Sequence, residues 1–370
     1  MPLHRIRDQG DDRAPGRGVH PRNRCAHHGD RGVRRDAIGA RSRMPEGRPR
    51  AGLDPPVWPP RGRQRRRRGL RRHILKFVFP DNPIMIEATS KRIRVDDVEL
   101  HVLTEGSGPS ILVPTGGGIE FYRRTFSRRL LDAHTFVYVE MRGTGASTGS
   151  PEGATYATLA DDLDAVREKL GLDRVVVMGH SNHGGIALEF GLRHPKHAAA
   201  VVSVASVPDF SRAMSVGIAR WEAEASTSRK ELLARHQAEL GALDTSAMDP
   251  DELTLRRYLA LHPLVWNDPT LDAGALWGGV PRGFAIYMQS VIRPEAERWS
   301  LVSSLGEITC PVLALCGRYD YVCPVELWAE AIDALPRGVL DIFDHSGHNP
   351  HYEESARFDA VLLAFLRALS

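Results

Sequence analysis

The sequence predicts an α/β protein built on a mostly parallel, doubly wound sheet, with a helical lid inserted before the last two strands. Three observations carry this reading. Short β-branched apolar runs alternate with helical patterns, which is how parallel strands covered on both faces read. The strand pattern stops near Pro208, gives way to a helical stretch rich in aromatics, and resumes at Pro311. Upstream of both, Val175-Val176-Val177-Met178-Gly179-His180-Ser181-Asn182-His183-Gly184-Gly185 reads as strand, sharp turn and helix, with a hydroxyl at the tip of the turn.

Taken in order, Arg92–Val95 and Glu99–Glu105 predict a hairpin around Asp96-Asp97. Ser110–Pro114 is a short buried strand ending in Thr115-Gly116-Gly117-Gly118. The spacing then predicts a helix near Glu120–Leu131, a strand over Thr135–Met141, and a glycine-punctuated loop at Arg142-Gly143-Thr144-Gly145. Arg142 is expected to tie that loop down by hydrogen bonds. Tyr156–Leu170 is an amphipathic helix closed by Gly171, and its Asp161, Asp162 and Asp164 read as a solvated face. Ala198–Ala205 is the strand after the serine turn and its helix. Downstream come the strand Pro311–Cys316, a helix near Val325–Leu335, the strand Val339–Phe343, and a last helix from about Glu353. The domain expectation is a core over 85–207 and 301–370 with a helical lid over 208–300. The lid aromatics, Trp221, Tyr258, Trp266, Trp277, Phe284, Tyr287 and Trp299, are expected to serve mostly as its own core.

The chain has 370 residues and a formal net charge of +3, which conceals two unlike parts. Residues 1–84 hold 22 Lys+Arg against 8 Asp+Glu, and the rest holds 27 against 38. The first part is an Arg/Gly/Pro mixture with one aromatic, Trp58, in residues 1–72. It buries too little apolar surface to offset its ordering entropy, so disorder is expected. Its run from Arg61 to Arg72 lacks the interleaved aromatics of a nucleic-acid site. The apolar stretch after Arg71-Arg72 stops at Pro80, too short for an export signal. Cys25-Ala26-His27-His28 lacks zinc spacing. Residues 1–84 therefore read as an Arg-rich extension from a start site placed too far upstream, with Met85 as the natural start. Four cysteines, three of them around one strand, suit reduced thiols. No apolar run is long enough for a bilayer span. A cytoplasmic location is expected, with no cofactor, no metal, and no nucleic-acid or membrane partner. The expected partner is a small-molecule or short-peptide substrate, and oligomeric state is left open.

A serine hydroxyl needs a base within reach, and a histidine serves when a carboxylate fixes its tautomer. Asp320 follows one predicted strand and His348 the next, so both sit at strand C-terminal ends on the sheet edge of Ser181. His345 is the rival base, and Asp341 and Asp344 are rival acids too close to the histidine in sequence. The expected catalytic set is Ser181, Asp320 and His348, with the backbone N–H groups of Gly117 and Asn182 as oxyanion donors. The glycines after Thr115 fit no nucleotide-binding motif.

With Gly116-Gly117, Arg142-Gly143-Thr144-Gly145, Gly179-His180-Ser181, Leu192-Arg193-His194-Pro195, Gly317-Arg318-Tyr319-Asp320 and Ser346-Gly347-His348 in place, the chain over roughly 92–370 resembles the α/β-hydrolase-fold superfamily. It is most similar to its lidded members in the proline iminopeptidase branch and related esterases. The resemblance implies the α/β-hydrolase fold, no cofactor, and hydrolysis of a small ester, lactone or amide through an acyl-enzyme. Proline aminopeptidase activity is the alternative, and a non-catalytic ligand-binding member the second. Two departures stand out. His183 occupies the fifth place of the Gly-x-Ser-x-Gly turn, where glycine is usual, so it must tilt outward or line the substrate pocket. Thr115 stands where the family has histidine, and Gly118 where proline often sits. Glu222, Glu224 and Glu231 are the acids available to hold a substrate amino group, as iminopeptidases of this branch do with lid acids.

Overall fold

A computed structural model describes residues 88–369, and the expectations for residues 1–84 and for a start at Met85 lie outside that range. Strands β1 (Thr89–Val95) and β2 (Val98–Gly106) form the antiparallel hairpin, turning through Asp96 at φ 49°. Aspartate tolerates this left-handed conformation better than most residues. The other strands are β3 (Ser110–Thr115), β4 (Thr135–Glu140), β5 (Val175–His180), β6 (Ala198–Val204), β7 (Val312–Gly317) and β8 (Gly338–Phe343). They make one eight-stranded sheet in the order β1-β2-β4-β3-β5-β6-β7-β8. β2 runs against both neighbours, and every pairing from β4 to β8 is parallel.

Both faces of this sheet are covered, and single strands show it. Val175 and Val177 pack in a cluster with Leu163, Ile186 and Leu188. Val176 and Met178, one residue out of phase, pack with Phe121, Phe358 and Leu362. A strand whose side chains alternate between two cores must be apolar throughout, which is the run the sequence displays. The covering helices are α1 (Ile119–Thr125), α2 (Tyr156–Lys169), α3 (His183–Arg193) and, at the C-terminus, Ser355–Arg367. The Thr155 hydroxyl caps α2 by accepting from the Thr158 N–H at 3.2 Å. Between β6 and β7 the chain is helical, with α4 (Phe210–Glu224), α5 (Thr227–Gly241), α6 (Pro250–Ala260) and shorter turns.

Three local expectations are corrected. The helix expected over 120–131 is two pieces, Ile119–Thr125 and Arg128–Ala133, because Phe126 is extended (ψ 142°). That break buries its ring against Phe136 at 5.3 Å between centroids. The last helix is preceded by a separate turn, Pro350–Glu353. The three acids of α2 are not a uniformly solvated face. Asp162 is buried and accepts two bonds from Arg142, at 2.6 and 2.7 Å, and so anchors the loop that Arg142 begins. Asp164 accepts from Arg167 and His197, and Asp161 from Arg193.

The sheet order places the functional residues. β4 lies on one side of β3 and β5 on the other, so the loops leaving β3 and β5 diverge at their C-terminal ends. In open α/β sheets that divergence is where ligands bind.

Candidate active site

β5 delivers Ser181 at φ 58°, a left-handed conformation that costs a β-carbon residue roughly 1–3 kcal/mol. The turn is held by Ser181 N–H donating to the Val204 carbonyl and by Gly184 N–H donating to the Ser181 carbonyl, each at 2.9 Å. Gly179 permits it, since a Cβ there would collide with the His183 carbonyl. Ser181 lines a cavity of about 90 Å³ together with Gly116, Asn182 and His183. Asn182 is fixed by its side-chain oxygen, which accepts from the Tyr156 hydroxyl at 2.9 Å.

β7 and β8 deliver the acid and the base to each other. Asp320 and His348 are both buried, and Asp320 Oδ2 accepts from His348 Nδ1 at 2.7 Å. The other carboxylate oxygen accepts from the N–H groups of Val322 and Cys323, at 2.9 and 2.8 Å. With Nδ1 donating, Nε2 is the nitrogen left to accept. His348 also lies beside the serine turn. His180, the residue before Ser181, bonds the His348 carbonyl through Nε2 at 2.8 Å, and the two rings are 4.9 Å apart.

The histidine loop is held by residues the sequence reading missed. Glu353 Oε1 accepts from the N–H groups of Gly347 and Asn349, and its Oε2 accepts from Asn267 N–H at 2.6 Å. Burial pushes the Glu353 carboxyl up to about 7, against three N–H donors that favour its anion. Glu354 Oε2 accepts from the Ser346 hydroxyl and His345 N–H. No spacing rule in the sequence singles out these two glutamates. His180 did leave a trace, because its neighbour Ser181 fixes which way the end of the strand points. The rivals lie elsewhere: His345 is exposed, Asp344 pairs with Arg318, and Asp341 pairs with Arg357.

On the opposite lip, Gly116 faces the cavity, and Gly117 (φ 90°) turns its α-carbon toward the Arg282 carbonyl. Gly117 itself lines an adjoining hollow with Glu140, Trp277 and Arg282 rather than the Ser181 cavity, and its N–H is tied to that cavity only through the peptide bond to Gly116. Among the described residues, neither this N–H nor the Asn182 N–H donates to a protein acceptor. Arg282 straps this lip through its carbonyl to Gly145 N–H and through its side chain to the Ser147 carbonyl.

His183 lines the cavity rather than tilting outward, and burial lowers its imidazole to about 4. The close approach of α3 to its neighbours falls instead at Gly184, where a Cβ would collide with the Ser206 side chain. The rest of the wall is aromatic, and Phe121, Tyr258, Trp277, Phe284 and Tyr287 supply most of it. Several of the expected lid aromatics therefore face the cavity as well as one another. Glu222 and Glu224 do not join this wall. Glu222 is 67% exposed and takes the Lys230 ammonium at 2.8 Å. Glu224 pairs with Arg220, whose guanidinium pins the Arg318 carbonyl in the loop leading to Asp320. Glu231 is exposed on α5.

Two clusters among the described residues have metal-ligand composition. Asp320, Cys323 and His348 are the site just described. In the other, Asp164 Oδ1 already takes Arg167 at 2.6 Å and His197 at 2.7 Å, with His194 beside them. Cys310, Cys316 and Cys323 are buried free thiols. Among the described residues no helix is long and apolar enough to cross a membrane.

Comparison with known proteins fits this geometry. The family model described as alpha/beta hydrolase fold matches residues 109–355. A Bacillus subtilis protein named AB hydrolase superfamily protein YclE is 30% identical over 270 residues, covering 71% of this chain and 94% of the relative. An esterase (EaEST) from Exiguobacterium antarcticum superposes with a TM-score of 0.57 at 20% identity, covering 75% of this chain and all of that one. The proline iminopeptidase of Mycobacterium smegmatis gives a TM-score of 0.56 at 20% identity, covering 76% and 98%. Values this close speak for the fold and do not separate ester from peptide chemistry.

Proposed function

The chain belongs to the α/β-hydrolase family, and from that premise we propose that it is a serine hydrolase cleaving a small ester, lactone or amide through an acyl-enzyme. The observation that carries the reading is the buried Asp320–His348 bond at 2.7 Å, set beside a serine held in left-handed conformation over a cavity. Ser181 Oγ attacks the substrate carbonyl carbon while His348 Nε2 takes its proton. Asp320 holds the imidazole in the required tautomer and stabilises the imidazolium. The carbonyl oxygen becomes an oxyanion received by the N–H groups of Gly117 and Asn182. As the intermediate collapses, His348 gives its proton to the leaving group and Ser181 keeps the acyl group. Water, deprotonated by His348, then releases the acid and restores the serine. The helical segment over 208–300 acts as the lid, since its aromatics form most of the cavity wall.

Aminopeptidase activity on N-terminal proline is the second reading. It is less well supported, because a substrate ammonium needs a carboxylate and no Asp or Glu is among the described residues lining the cavity. The full chain is expected to hydrolyse p-nitrophenyl butyrate well and proline p-nitroanilide poorly, and Ser181→Ala to lose the ester activity while keeping the wild-type unfolding profile. Ester turnover near wild type in that variant would sink the assignment. Strong anilide cleavage would move the peptidase reading to first place.

A further inference from the structure

His183 stands where this turn usually has glycine, and the structure gives its side chain a definite environment. The imidazole lies parallel to the Tyr287 ring, with an interplanar angle of 11° and centroids 5.9 Å apart. Both rings press on Gly116: a Cβ there would lie 2.9 Å from the Tyr287 ring and 3.4 Å from His183 Nε2. The two side chains thus meet at the lip that holds the Gly117 N–H, and both line the cavity of Ser181. His183 Nε2 and the Tyr287 hydroxyl are each buried without a hydrogen-bond partner. Unpaired buried polar groups carry a desolvation cost that protein structures seldom leave standing. In the wall of a cavity, such a pair marks where a ligand group completes the bonding.

We propose that His183 and Tyr287 form a polar subsite that selects substrates bearing a neutral hydroxyl on the flat apolar group seated among the aromatics. This rests on the reading of the Ser181 cavity as the substrate site. The donor and acceptor pattern names the group. Burial keeps the His183 ring neutral at neutral pH, and in the tautomer protonated at Nδ1 its Nε2 is an acceptor. The tyrosine hydroxyl can donate. A hydroxyl gives its proton to Nε2 and accepts from Tyr287, which satisfies both. A carboxylate offers no proton to Nε2 and has no cation among the described lining residues. An ammonium finds no carboxylate there. Phe121, Tyr258, Trp277 and Phe284 supply the faces on which a flat ring would lie.

The test compares p-cresol with toluene, its twin lacking the hydroxyl, by calorimetric titration into full-length Ser181→Ala. The cresol is expected to bind about tenfold more tightly, the worth of one such hydrogen bond. Tyr287→Phe and His183→Phe, each added to that background and checked for a wild-type unfolding profile, should both bring the ratio toward one. In parallel, the wild type should prefer p-nitrophenyl 4-hydroxyphenylacetate to p-nitrophenyl phenylacetate in kcat/KM. Equal affinities in the starting protein, no binding of either compound, or a preference untouched by both substitutions would overturn the subsite. A preserved binding preference with no ester turnover would leave the subsite standing and overturn the hydrolase reading instead.

Discussion

The acid–histidine end of the site and the wall that faces it handle buried polarity in opposite ways. At the first, the carboxylate and the imidazole nitrogen facing it are paired, though the buried side-chain amide of neighbouring Asn349 is not: Asp320 Oδ2 has His348, Asp320 Oδ1 has two backbone N–H groups, and the His348 carbonyl has His180. At the second, His183 Nε2 and the Tyr287 hydroxyl have none, and behind the wall both nitrogens of His351 are unpaired as well. The difference separates groups that must already be in place before substrate arrives from groups that stand ready for something absent. A paired carboxylate and imidazole need no reorganisation during reaction. An unpaired atom in a cavity wall is costly until a ligand completes it. The polarity left unpaired in the cavity wall itself therefore bears on recognition, and the polarity already paired bears on chemistry.

Substitution at the paired end should be the most damaging. Asp320→Asn keeps the shape and one acceptor but no longer enforces the tautomer, so ester turnover should fall by about four orders of magnitude with little loss of stability. Steady-state kinetics and a denaturant titration check both halves. A loss below tenfold would mean that the pairing is structural and the contrast with the wall is false.

Substitution at the unpaired end should be mild, and in one case favourable. His351 is fully buried among Phe126, Tyr122 and Phe358, and burial, with the nearby His348 adding to it, lowers its imidazole to about 3. An unfolded histidine titrates near 6.5. Between those values the unfolded chain binds a proton that the folded chain refuses, so stability falls as pH drops from about 6.5 toward 3. His351→Phe removes this term. The variant should match or exceed wild type at pH 7 and lose less stability between pH 7 and pH 5. A steeper acid loss in the variant would show that His351 is satisfied in solution and belongs with the paired groups.

Much of this contrast was legible in the sequence only at its paired end. Ser181, Asp320 and His348 each follow an apolar strand run, and in a parallel sheet such positions gather at one edge, so their common location could be read from periodicity alone. His183 was visible as a departure at a glycine position, but its direction was not, because it depends on Gly184 taking over the close approach to Ser206. Asp162 looked like its exposed neighbours, since nothing local shows that Arg142 reaches it from another loop. Glu353 and Glu354 hold the histidine loop through backbone N–H groups, and contacts of that kind leave no side-chain pattern to find. The glutamates that were singled out, Glu222 and Glu224, are on the insertion as expected, but Lys230 and Arg220 occupy them.

The most direct test of the central claim is to find the atom that attacks. The full chain would be treated with a p-nitrophenyl alkylphosphonate, which transfers its phosphonyl group to an activated serine and releases p-nitrophenol, and the labelled peptide located by mass spectrometry. One phosphonyl group on Ser181 is expected, with loss of ester turnover in step with labelling and no label in Asp320→Asn over the same interval. Full ester turnover with Ser181 unlabelled, or inactivation with the label on another residue, would contradict that claim.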